Sequence, residues 1–231
     1  MNNIFYITLI IILSFSQGIS QVTPGSIQTN SILLYGGTLH IGDGKVIEKS
    51  AIGFKDGIII KCVDIENNII DTSNYDIVID ISGKEVYPGF IAMNSTLGLM
   101  EIGAVRATKD YQETGKFNPN SRTLTSFNTD SRITPTVRSN GVLLGQISPR
   151  GGIVSGSSSV MRFDAWNWED AVVRSDEGIH MNWPKSRVAA KVNNELDIEK
   201  TKSKERNTKN EIHDFFKICL LYTSPSPRDK R

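Results

Sequence analysis

Val86-Tyr87-Pro88-Gly89-Phe90-Ile91-Ala92-Met93-Asn94-Ser95-Thr96-Leu97-Gly98 is the stretch on which the fold turns. Proline has no backbone N–H to give a ladder, and glycine permits a sharp bend, so Pro88-Gly89 marks the entry to an element and not its interior. The apolar run beyond it is short and bounded by turn residues, as expected of a strand. Asn94, Ser95 and Thr96 end it with small polar groups. Alternation along a strand places Ala92, Asn94 and Thr96 on one face.

Upstream, residues 31–63 read as a short β-meander. Ile32-Leu33-Leu34-Tyr35 is an apolar run that Gly36-Gly37 is expected to end, with Thr38 to Ile41 as the next strand and a turn at Gly42-Asp43-Gly44. Asp56-Gly57 between apolar runs is a strong hairpin signal. Asp76 to Ile81 has the same β-branched character as Ile58 to Val63. Downstream, Gly103 to Thr136 is polar and irregular, and Val142 to Ile147 is the next strand. It leads into a Gly/Ser-rich stretch, Gly151 to Ser159, expected to be a loop, with Val160 to Phe163 as a further short strand. Asn167 before Trp168-Glu169-Asp170 has the form of a helix N-cap with acids in the first turn. Residues 193–210, dense in charges of both signs, read as a solvated helix or loop.

The chain of 231 residues is 39% hydrophobic and 22% charged, an ordinary globular composition. A formal net charge of +1 gives no electrostatic case for nucleic acid or an acidic membrane surface. Cys62 and Cys219 supply neither a metal spacing nor a disulfide framework, and Cys62, in an apolar run, is expected to be a small buried hydrophobe.

Both ends read differently from the middle. Ile4 to Phe15 is apolar but too short to span a bilayer comfortably. Gly18 and Ser20 stand at the −3 and −1 positions before Gln21, the layout of a secretory signal peptide over residues 1–20. The region before the run carries no Lys or Arg, so a buried strand or an uncleaved anchor remain the alternatives. No cysteine stands at the cleavage point to carry a lipid, and no membrane anchor is expected after cleavage. At the far end, CLLYTSPSPRD (Cys219 to Asp229) matches, residue for residue, the translation of a transposase-based sequencing adapter. Residues 219–231 are therefore expected to be read-through, and the natural chain to continue past Ile218.

Three blocks together resemble the metal-dependent amidohydrolase superfamily, in particular its imidazolonepropionase-like branch. They are Leu34 to Gly44 with Phe54 to Ile59, then Pro88 to Gly98, then Gly141 to Asp170. The resemblance implies an α/β fold: the N-terminal part of a (β/α)8 barrel preceded by part of a small β-sandwich, truncated. Residues 21–87 would be the N-terminal portion of the sandwich and residues 88–218 the first βα units. A full barrel takes about 250 residues, roughly twice the length of the segment from Pro88 to Ile218.

The resemblance also sets the chemical expectation. Such proteins end the first barrel strand in His-x-His, two imidazoles that grip a divalent, zinc-type metal and activate water for attack on a C–N bond. The corresponding residues here are Asn94 and Thr96, oxygen donors of low zinc affinity. A metal is thus implied by the family and doubtful in this chain, and catalytic residues are not assigned. His40, His180 and His213 do not rebuild a site and read as structural or surface residues; His180 alone lies near the expected barrel. Arg150, Gly151, Gly152 and Ser155 form a candidate substrate loop, since Gly-rich backbone can cradle a carboxylate or phosphate; a tight barrel loop is the simpler account. Trp166, Trp168 and Trp183 read as packing.

Two functions stay open on the sequence. One is an exported hydrolase, periplasmic or extracellular, acting on C–N bonds of a small-molecule substrate through an atypical metal site. The other is a noncatalytic barrel that binds a ligand, or partners an active paralogue. A homo-oligomer is a further expectation about its partners.

Overall fold

The computed structural model describes residues 23–184 and 195–223, so the expected signal segment lies outside the described residues. Two sheets carry the architecture. The first contains β1 (Ile32–His40), β2 (Val46–Lys55), β3 (Ile58–Asp64) and β4 (Ile77–Asp80) in the order β3-β2-β1-β4, with β5 (Glu85–Val86) also on β1. The meander β1-β2-β3 is antiparallel as expected, whereas β4 and β5 return parallel to β1. Asp56 and Gly57 both have positive φ (51° and 74°), the two-residue turn whose twist suits a hairpin.

Two expectations for this sheet are corrected. Gly36-Gly37 does not end a strand: β1 runs through it with shifts in register on either side of Gly37. Gly36 sits at φ 91°, and a Cβ on Gly37 would lie 2.8 Å from the Ile81 carbonyl oxygen, so the pair is a bulge that lets β1 pass close to the following chain. Cys62 is exposed, not buried. It lies on the edge strand β3, where Ile58, Ile59 and Ile60 are also more than half exposed.

The second sheet contains β6 (Phe90–Ser95), β7 (Val142–Ile147), β8 (Val154–Arg162) and β9 (Val172–Met181) in the order β6-β7-β8-β9. β6 and β7 are parallel, and both later pairings are antiparallel. The crossover through residues 96–141 carries two 3-10 turns and the short helix α1 (Ile133–Ser139). The expected succession of βα units therefore stops after one parallel pair, and the described chain is a mixed α/β structure with few helices.

The Gly/Ser stretch departs from expectation as well. Residues 154–159 are the first six of the nine residues of β8, and Ser155, Ser157, Ser158 and Ser159 are all buried. Small side chains let the crossover backbone lie directly on this strand: Ser157 N–H donates to the Ser121 carbonyl at 2.8 Å, and Thr123 N–H donates to the Ser157 carbonyl at 3.3 Å. Each of these buried serine hydroxyls has a hydrogen-bond partner, as the low dielectric requires. The opposite arrangement, large apolar side chains, builds the core on the same side of the sheet. Leu99, Leu124, Phe127, Ile147, Met161 and Phe163 pack there, with Trp168 against them. Ile147 and Met161 are fully buried, and each such side chain contributes about 1.5–3 kcal/mol.

Asn167 caps α2 (Trp168–Ala171) as the sequence indicated, its side-chain oxygen accepting from Asp170 N–H at 2.7 Å. That helix is a single turn that feeds β9. Trp166 and Trp183 are exposed by about 60%, so packing accounts for Trp168 alone. Residues Glu195–Thr223 form one helix, α3, which docks through buried Ile212 and through Phe215 stacked on Phe117 at 4.5 Å. The two sheets are tied by the segment before β1: Gly25 N–H donates to the Asp164 carboxylate, and Gln28 Oε1 accepts from Gly57 N–H.

Candidate functional site

Polar side chains converge where β6, β7 and β9 carry them to one end of the second sheet. β6 is bulged between Ala92 and Ser95, and Asn94 there adopts φ 51°, a left-handed conformation that asparagine tolerates better than most residues. The strand closes at Ser95, so Thr96 lies just past it, where its carbonyl accepts from Leu99 N–H to start a turn. The simple alternation expected for Ala92, Asn94 and Thr96 is broken by this bulge.

The bulge aims Asn94 at two neighbours. Its N–H donates to Gln146 Oε1 at 3.0 Å. Its side-chain oxygen and its main-chain carbonyl accept from Arg150 Nη1 and Nη2 at 2.7 and 2.5 Å. Gln146 in turn donates through Nε2 to Glu177 Oε1, which also accepts from the Ser158 hydroxyl at 3.1 Å. A continuous network thus runs Arg150–Asn94–Gln146–Glu177–Ser158 across all four strands. His180, on β9, sits within the electrostatic reach of both Arg150 and Glu177.

The candidate loop splits at this point. Arg150 turns toward Asn94, while Gly151, Gly152 and Ser155 face inward on themselves. Asn182 Nδ2 donates to the Gly152 carbonyl at 3.0 Å and contacts Ser155 Oγ at 3.1 Å, and Ser155 Oγ donates to the Gly151 carbonyl at 2.6 Å. These bonds, to the Gly151 and Gly152 carbonyls and the Ser155 hydroxyl, stabilise the β7–β8 connection. His40 lies in the other sheet, stacked on Tyr87 at 4.3 Å, and His213 is exposed on α3. Of the three histidines, His180 is the one that feels the charges of this network.

Sequence reading missed Gln146, Ser158 and Glu177. Gln146 carried a signal: it is a lone amide inside an otherwise apolar strand, and a half-buried amide needs partners. Glu177 and Ser158 carried none, because their pairing follows from β9, whose mixed sequence hides a strand.

Burial holds the His180 imidazole below its usual titration range, and the Arg150 charge pushes the same way, with Glu177 opposing. The native state therefore resists protonation that the unfolded chain accepts. Since the unfolded state binds more protons below the ordinary histidine pKa of about 6.5, stability falls as pH drops through that value and the loss levels off below the native pKa. NMR titration of the ring should show His180 protonating below about 6.5. A midpoint at or above that value would show that the imidazole is not desolvated.

A zinc-type ion does not fit the residues at this strand end. The Asn94 side-chain oxygen is already an acceptor for a guanidinium, and that fixed positive charge would repel a divalent cation at the same oxygen. Among the described residues no three His, Cys, Asp or Glu side chains gather as metal ligands do.

No family model matches the chain, and neither does any curated protein. Among solved structures the architecture is found again, and it is an amidohydrolase-like fold. One match is the crystal structure of an amidohydrolase from Thermotoga maritima MSB8, with a TM-score of 0.61 and 24% identity, over 82% of this chain and 49% of that one. The chain thus spans about half the length of that solved protein.

Proposed function

We propose that the chain is the N-terminal part of an exported protein of the imidazolonepropionase-like branch, with β6 as the first strand of its barrel, and that the end of β6 binds a small molecule without a metal. The single observation that carries this reading is the Arg150 guanidinium on both oxygens of Asn94. A strand end that held a catalytic metal would present lone pairs to it; this one presents a cation. Of the two functions open on the sequence, the ligand-binding barrel is the better fit, alone or as the partner of an active paralogue. The hydrolase reading, in which later strands complete a site for attack on C–N bonds, is favoured by the solved amidohydrolase of the same fold.

Zinc titration by calorimetry of the dialysed full-length protein, with the later strands present, separates the two. On the ligand-binding reading zinc uptake is weak and far below one equivalent at micromolar concentrations. One equivalent of zinc at Asn94, followed by loss on Asn94→Ala, would overturn it.

A further inference from the structure

Arg150 is a half-buried cation without a carboxylate at ion-pair distance among the described residues. The nearby acid, Glu177, is engaged elsewhere, by Gln146 and Ser158. The guanidinium is also held rigidly. Its two terminal nitrogens, Nη1 and Nη2, each give one hydrogen to Asn94. A guanidinium carries five N–H groups in a planar fork, so the side edge, Nε–H with the adjacent Nη–H, still offers a parallel pair of donors. A planar carboxylate is the group that such an edge recognises with two hydrogen bonds.

Resting on the metal-free reading above, we infer that the end of β6 binds the carboxylate of a small molecule, with Arg150 as its charged fork. Asn94 is then a positioning residue: it fixes the guanidinium end-on and leaves the side edge for the ligand. The His180 imidazole feels the Arg150 charge, so its ring resonances report on the fork.

Acetate is the simplest probe. In the 231-residue chain at constant ionic strength, balanced with chloride, acetate should move the ring resonances of His180 along a saturable curve, while those of His40 and His213 stay still. Arg150→Gln should weaken that binding at least tenfold, and Arg150→Lys should weaken it less. The proposal is overturned if the His180 shift is linear in acetate, if the three histidines move alike, or if Arg150→Gln binds as tightly as the parent. The parent titration stands on its own should the variant not fold. Zinc added to an acetate-free sample tests the underlying reading separately. Stoichiometric zinc uptake defeats both; failure of acetate to saturate, with no zinc bound, defeats the carboxylate site alone.

Discussion

Gly156→Ala is expected to lower the free energy of unfolding by about 2–6 kcal/mol, as the sum of backbone strain and overpacking. Gly156 lies early in β8 at φ 127°, where a residue with a side chain is strained, and its added Cβ would sit 2.5 Å from the Ser121 carbonyl oxygen. That oxygen cannot retreat cheaply, because Ser157 N–H holds it at 2.8 Å. The methyl group would push the crossover off the strand and break the bridge between Arg122 and Ser157. The bidentate pair of Arg122 with Asp176, which pins the same crossover to β9, would be pulled as well. Domains of this size are stable by only about 5–15 kcal/mol, so the variant should show a large drop in the urea midpoint. Gly178→Ala is the control, since its Cβ would meet nothing nearer than Ser158 Oγ at 4.0 Å. Equal losses in the two variants would refute the close-approach account.

The second large effect concerns metal affinity. Asn94→His with Thr96→His supplies two imidazoles, and histidine is among the residues that tolerate the left-handed conformation found at Asn94. Zinc affinity should nevertheless stay low in the double variant. One of the two guanidinium bonds goes to the main-chain carbonyl of residue 94, so replacing the side chain leaves the Arg150 charge in place. A unit charge about 5 Å from a divalent ion costs roughly 2–7 kcal/mol for an effective dielectric between 80 and 20; at a half-exposed site the lower end applies. Adding Arg150→Gln should therefore tighten zinc binding tenfold or more. Calorimetry that found no difference between the double and triple variants would show that Arg150 does not govern the site.

Sequence and structure agree where local chemistry decides the outcome. Asp56-Gly57 is a hairpin because both positions need positive φ, and Asn167 is a cap because its oxygen reaches Asp170 N–H; neither depends on the rest of the chain. Val142 to Ile147 is readable as a strand from end to end for the same reason. Agreement fails where packing overrides composition. Gly151 to Ser159 has the residues of a loop, yet most of it is a buried strand, because only small side chains admit the crossover backbone on that face. β9 is invisible in the sequence: Arg174, Ser175, Asp176 and Glu177 interrupt any apolar period, and the strand exists through its pairing with β8. The candidate site shows the same division. Asn94 and Arg150 are each legible as polar residues at strand ends, but their contact joins residues 56 apart, and nothing local announces it.

β6 pairs, among the described strands, only with β7. That pairing has a consequence in time. During synthesis the ribosome must complete residues 96–141 before the first residue of β7 exists. At about 5–20 residues per second this takes roughly two to nine seconds. The hairpins β7-β8 and β8-β9 need only about 1–10 µs once their residues have emerged. The nascent chain therefore carries Phe90, Ile91 and Met93 as an uncharged, unpaired apolar segment for a period roughly five to seven orders of magnitude longer than a hairpin needs to form. Elongation, not the search for contacts, sets when β6 finds its place.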